Sequence, residues 1–258
     1  MEHREPGDAL DLLGQRAPML RALDEGPTTK AAVQSALGVS RSTVDRGLRD
    51  LEHMEFVERT PEGYRVTLCG RVALEAYDRF ETQLSGVCEV SDLLSSFPGD
   101  VPLDPAVFSG ADVIRPDPTA PQRPTEAICD LVRWAEETRG TVVGVSDQFV
   151  DVYREGITAG SSVSLVLPPS ALRRLLSKYA ETMDDVLSTG RVTLRESTAT
   201  PQFGLKIHRR GDHRVVGLAI YGDDGLRAFV RNDDPEAVLW VESLFESVWA
   251  DADPIPLP

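Results

Sequence analysis

The sequence predicts an α+β chain: an N-terminal winged helix-turn-helix followed by a mixed α/β sheet domain covered by helices. Three observations predict it. Residues 28–68 read as a capped helix, a short turn, a second capped helix and a hairpin. Residues 97–124 carry seven prolines, at 98, 102, 105, 116, 118, 121 and 124, which no regular helix tolerates, so they part the front of the chain from the rear. Behind them, helical and strand-like segments alternate and then give way to three strands in succession, the pattern of a mixed sheet under helices. The boundaries this implies are 1–70 for the winged helix, 71–96 for a linking and dimerising helix, and 97–258 for an α/β domain.

At the front, Leu10, Leu13, Ala17, Leu20 and Leu23 recur at helical spacing over residues 8–23, with a break expected near Pro18. Glu25-Gly26-Pro27 turns the chain. Thr28 or Thr29 is placed to cap the next helix by accepting from amides that its first turn leaves unpaired, and Gly38 ends it. Ser40 caps a third helix with apolar positions Val44, Leu48, Leu51 and Met54. Val57, Tyr64, Val66 and Leu68 flank a Pro61-Glu62-Gly63 turn and make the hairpin. Residues 70–95 read as one long helix.

The connector admits one short strand, 111–115. After it the expected order is helix 124–139, strand 141–145, helix 147–158, strand 162–167, helix 169–188 and strand 191–196. Strands then follow at Phe203, Arg214 and Leu226, and a helix over 234–250 starts at Asp233-Asp234-Pro235.

Composition narrows the function classes. Acidic residues number 42 against 27 basic ones, for a formal charge of -15, which excludes a coat protein for nucleic acid in general but not a small local cationic face. Only three of the basic residues are lysines: Lys30, Lys178 and Lys206. Cys69, Cys88 and Cys129 are odd in number and form no CxxC pair, so neither a disulfide framework nor a zinc knuckle is indicated. Cys69 and Cys88 lack basic neighbours that would lower a thiol pKa and read as buried structural residues. The polar start and the absence of a long apolar run lead to the expectation of a cytoplasmic protein with no membrane association.

The front segment carries the functional signal. In a helix-turn-helix the second helix enters the major groove and its N-terminal residues meet base edges. Here those residues are Ser40, Arg41, Ser42, Thr43, Asp45 and Arg46, with Arg49 one turn on. Arginine can hold guanine with two hydrogen bonds, and serine or threonine can meet a base or a phosphate. Arg59, Tyr64 and Arg65 of the hairpin are placed for phosphate or the minor groove, and Thr28 and Thr29 complete the set of candidate DNA contacts. Residues 28–71 hold seven basic and six acidic side chains, a near-neutral island in an acidic chain. Double-stranded promoter DNA is the expected partner, with a second copy of the chain supplying the other half-site.

The stretch LGVSRSTVDRGLRDLEHMEFVERTPEGYRVTLCGR resembles archaeal winged-helix regulators related to the ArsR and TrmB groups. The downstream DLLSSFPGDVPLDPAVFSGADVIRPDPTAPQRP, with VSLVLPP, GRVTLRES, FGLKIH and GLRAFVRNDDPEAV, is similar to the FilR-type middle domain that accompanies such winged helices in haloarchaea and methanogens. The likeness spans nearly the whole chain. It implies a dimeric transcription factor whose rear domain senses an effector. The acid-rich, lysine-poor composition likewise resembles proteins of salt-loving archaea, whose carboxylate surfaces stay hydrated in concentrated salt. Rear domains of TrmB type resemble phospholipase D halves, whose catalysis uses HxKxxxxD. LKIHRRGDHR lacks that signature, so the domain is not expected to be a hydrolase.

The histidines, His3, His53, His208 and His213, form no ligand spacing, and His208 and His213 flank what reads as a charged hairpin turn. No P-loop, GxGxxG or GxSxG is present, so no cofactor or metal is expected. Ligands of mixed α/β sheets tend to sit outside the carboxyl ends of parallel strands, which here points to Ser146, Asp147, Gln148, Ser170, Glu196, Ser197 and Tyr221. Asp147 and Ser170 serve equally as plain helix caps. Two other readings compete: a winged-helix adaptor that binds only protein, and an enzyme fused to a winged helix.

Overall fold

A computed structural model describes residues 5–26, 28–97, 101–199, 201, 203–222 and 225–255. His3, Pro27 and Pro98 of the readings above lie outside the described residues. The chain divides into two compact units, Met1–Thr82 and Gln83–Pro258.

The front unit holds helices α1 (Pro6–Asp24), α2 (Lys30–Leu37) and α3 (Arg41–His53), the hairpin β1 (Val57–Thr60) and β2 (Gly63–Val66), and most of α4 (Leu68–Glu89). Its caps follow the sequence. Thr29, rather than Thr28, caps α2 by accepting from the Ala32 amide at 3.3 Å, and Ser40 caps α3 by accepting from Thr43 at 3.2 Å. Gly38 ends α2 in the left-handed region, at φ 64°. Leu20, Leu23, Val33, Val44, Leu48 and Leu51 are all but sealed from water and form the core. Each such side chain contributes on the order of 1.5–3 kcal/mol by its burial. The break expected at Pro18 does not occur: α1 runs through it, because Ala17, Met19 and Leu20 on either side are held in that core. Thr28 acts as a third strand. Its amide and carbonyl exchange hydrogen bonds with Tyr64, both at 2.9 Å.

The rear unit is built on an eight-stranded mixed sheet. Its strands are β3 (Asp112–Ile114), β4 (Glu137–Thr141), β5 (Ser162–Leu167), β6 (Val192–Glu196), β7 (Phe203–Arg210), β8 (His213–Gly222), β9 (Gly225–Asn232) and β10 (Asp253–Pro254). They lie in the order β10-β6-β5-β4-β7-β8-β9-β3, with β4, β5 and β6 parallel and the remaining pairs antiparallel. One face, bearing Phe203, Leu205 and Ile207, packs on α10 (Pro235–Asp251) and on α5 (Ser91–Leu94). The other is covered by α6 (Arg123–Trp134), α7 (Asp147–Thr158), α8 (Pro169–Lys178) and α9 (Ala180–Ser188).

Several expected boundaries move. The long helix over 70–95 is two, α4 and α5, parted at Val90. The helix over 169–188 is likewise two, α8 and α9, meeting at Tyr179. The strand expected at 141–145 lies earlier, at Glu137–Thr141, and α6 ends earlier to match. The register explains this: Glu137 to Thr141 pair with Ser162 to Val166, and Glu137 to Gly140 pair with Arg209 to Lys206. A central strand thus runs through the polar residues ETRGT, while the apolar run after it does other work. Cys129 is buried, but Cys69 and Cys88 are exposed, near the two ends of α4, which corrects the expectation that they are structural core. Among the described residues no helix is long and apolar enough to cross a membrane, and no group of three or more His, Cys, Asp or Glu could hold a metal ion.

Candidate nucleic-acid interface and sheet-face cavity

Helix α3 is divided lengthwise. Val44, Gly47, Leu48 and Leu51 face the core, while Arg41, Ser42, Arg46 and Arg49 are exposed on the opposite side. At its N-terminus the Ser40 hydroxyl lies 2.9 Å from that of Ser42 and 2.8 Å from that of Thr43, a cluster of hydroxyls at the positive end of the helix that suits an anionic oxygen. Asp45 is occupied. Lys30 reaches it at 2.5 Å and Arg41 at 4.0 Å, and the lysine contact first of all holds its carboxyl below the usual carboxylate range. The Lys30 ammonium also stands 5.5 Å above the Tyr64 ring. Asp45 thereby becomes a brace between α2 and α3. Arg46, Arg49 and Arg59 are exposed and make no ion pair among the described residues.

The hairpin presents a different picture. Arg65 is held across the strands by Glu58, its register partner, with Nε donating at 3.0 Å. Tyr64 is only 6% exposed and belongs to the core, so its ring cannot reach a partner as the sequence reading had it. A tyrosine beside a turn looks exposed in sequence; the Thr28 bridge is what covers it.

The rear unit contains an apolar cavity, open on one side, between α7, α8 and α9, the strands β5 and β6, and the segment 142–145 that follows β4. The run Val142–Val145 that was expected to be a strand lines it instead, together with side chains such as Leu165, Leu194 and Met183. Lys206, Tyr153 and Tyr221 bring polar atoms to this wall. Lys206 is 6% exposed and donates to the Thr141 carbonyl at 3.1 Å, and burial lowers its pKa to about 8. The Tyr153 hydroxyl is buried with no hydrogen-bond partner among the described residues, and burial raises its pKa; burial also pushes Tyr221 up to about 12. Behind Lys206, His208 is fully buried in β7 rather than at the turn, bonded to Thr138 Oγ1 at 3.0 Å and pushed down to about 3, first by burial and then by Lys206.

Of the effector residues expected from sequence, Tyr221 lines this cavity. Ser146 caps α7, accepting from Phe149 at 3.4 Å, and Asp147 is bound by Lys178 and Tyr179. Gln148 lies by Cys129, Ser170 on a shallow groove with Arg174, and Glu196 opposite Asp253. Ser197 accepts from the Ala199 amide at 3.1 Å. Sequence reasoning missed Lys206. Its signal was alternation: with Phe203, Leu205 and Ile207 on one covered face, residues 204, 206 and 208 must meet the other.

The fold and these two places define a class, a winged helix-turn-helix unit followed by a mixed α/β unit with an internal cavity. The chain belongs to the family described as Methanogenesis regulatory protein FilR1, middle domain, which residues 121–251 match. Residues 8–86 match a second family, described as HVO_A0261 N-terminal domain. Among curated proteins none matches the chain. TrmBL2, described as an archaeal chromatin protein with a novel mode of DNA binding, is similar at 18% identity over 97% of this chain and 100% of that one, with a TM-score of 0.45. Nuc from Salmonella typhimurium, a phospholipase D family member, is similar at 12% identity over 56% of this chain and 97% of its own, with a TM-score of 0.43. Polyphosphate kinase from Porphyromonas gingivalis follows at 15%, 65%, 30% and 0.39. At these TM-scores the likenesses carry no functional weight.

Proposed function

We propose that the chain is a sequence-specific, double-stranded-DNA-binding transcriptional regulator of the cytoplasm, acting as a homodimer, with a rear unit that answers to a small-molecule effector. One observation carries the reading: α3 buries one side in its unit and leaves Arg41, Arg46 and Arg49 exposed on the other, behind a hydroxyl-rich N-terminus. Arginines placed there are positioned to read bases, and Arg59 to meet phosphate. Membership in a family described as regulatory supports the same reading.

The dimer is supported by α4. Leu68, Val72, Phe80 and Leu84 of this one helix are 45% exposed or more, with 68 and 72, and 80 and 84, as adjacent pairs. A second copy covering such a pair would double the half-site that one helix-turn-helix reads. Genomic footprinting of the tagged chain tests the function. Discrete promoter peaks are expected, whereas uniform coverage or none would favour an adaptor or a fused enzyme.

A further inference from the structure

Lys206 is one of only three lysines in the chain. The other two, Lys30 and Lys178, meet carboxylates at the surface. Among the described residues Lys206 meets none: its one partner there is a backbone carbonyl, and burial accounts for its lowered pKa. A buried ammonium has three protons to donate, and an isolated cation in an apolar interior is costly unless something anionic reaches it. Tyr153 lines the same cavity, and its hydroxyl is buried and without a partner among the described residues. Buried donors are normally satisfied, so an unpartnered hydroxyl and an ammonium with a single partner, on two residues that line one apolar cavity, point to an absent acceptor. The neighbouring His208 is neutral and supplies no negative charge.

Resting on the reading of the rear unit as a sensor, we propose that this cavity binds a small hydrophobic monocarboxylate. Its carboxylate accepts from Lys206 Nζ and the Tyr153 hydroxyl, and its tail lies among Val145, Leu165, Leu194 and Met183. Almost wholly apolar walls suit a linear chain or a single ring rather than a sugar or nucleotide, whose hydroxyls would find no partners. Among the described residues only Lys206 brings a buried full charge to the cavity, so the ligand carries one anionic group. Arg154 lines the same cavity but is exposed, and a carboxylate there would keep its water.

Octanoate, 1-octanol and octylamine share a tail and differ in head charge. Calorimetric titration of each into the full chain tests the head-group claim. Octanoate is expected to bind at least tenfold more tightly than octanol, and octylamine more weakly than either. Lys206→Met should cost octanoate tenfold or more while leaving octanol unchanged, which also shows that the variant is folded. Tyr153→Phe should cost octanoate about three- to tenfold, and Arg154→Gln less than twofold. Equal binding of octanoate and octanol, or an octanoate affinity that Arg154→Gln abolishes and Lys206→Met leaves intact, overturns the proposal. A gel-shift titration with and without saturating octanoate tests the sensor reading separately: bound octanoate that leaves DNA affinity unchanged keeps the ligand site and removes the sensor.

Discussion

Lys206→Met removes a buried charge while keeping the side chain's length, and its effect on stability can be worked from the fold. In the folded rear unit burial lowers the Lys206 pKa from 10.5 to about 8. At pH 7 both folded and unfolded chains hold the proton, and the folded state bears the cost of the buried ammonium. As pH rises from about 8 to 10.5, folded Lys206 releases its proton while the unfolded chain still keeps one, so stability rises through that window. The interval of about 2.5 pH units corresponds to roughly 3 kcal/mol. Methionine has no charge to bury. The variant is therefore expected to be more stable than the parent by that order at pH 7, with the gap closing towards pH 10.5. Tyr153, Tyr221 and Cys129 have raised pKa values in both proteins and cancel in the difference, and His208 is neutral throughout. Urea titrations between pH 7 and 10 followed by tryptophan fluorescence measure this directly, because Trp134, Trp240 and Trp249 all lie in the rear unit. A variant that is less stable at pH 7, or a gap that does not vary with pH, would refute the reasoning.

Three further outcomes follow from the structure. Gly63 has φ +146°, and a Cβ there would lie 2.5 Å from the Thr28 carbonyl oxygen; Gly63→Ala should destabilise the front unit by about 1–3 kcal/mol, measured by helical circular dichroism in urea, with an unchanged midpoint counting against the bridge. Replacing Phe80 and Leu84 together by glutamate should turn a dimer into a 28.2 kDa monomer by light scattering, and a parent that is already monomeric removes the seam. A chain of net charge -15 should gain thermal stability between 0.1 and 2 M KCl and lose DNA affinity only shallowly, because self-repulsion and repulsion from DNA fade as the Debye length shortens from about 30 Å at 0.01 M to about 3 Å at 1 M. A flat or falling melting temperature with a steep loss of DNA affinity would make the acidity incidental.

What the sequence made legible was whatever local chemistry decides. Ser40 followed by Val44, Leu48 and Leu51 marks a capped amphipathic helix unaided, and SVSLVL is a strand at its stated limits, Ser162–Leu167. What stayed hidden depends on neighbours distant in sequence. Glu137–Thr141 is a central strand because Ser162–Val166 and Lys206–Arg209 flank it, and nothing in ETRGT announces that. The run Val142–Val145 looked like the strand because it is apolar, yet its apolarity serves the cavity. Tyr64 was expected at the DNA surface and Lys206 was passed over for the same reason. Each is buried beside a residue far along the chain, Thr28 in one case and Thr141 in the other.

The central claim is that the exposed side of α3 reads a DNA sequence. Its most direct test is selection of bound duplexes from a random pool by the full chain, followed by affinity titration of the selected site with Arg41→Ala, Arg46→Ala and Arg65→Ala. Both α3 arginines are exposed, so their loss should leave folding intact while costing roughly 1–3 kcal/mol of affinity for the selected site and relaxing the preference at one or two base positions. Arg65, already held by Glu58, should matter less and equally for every sequence. No enriched motif, or a selected site bound equally well by both α3 variants, would contradict the account.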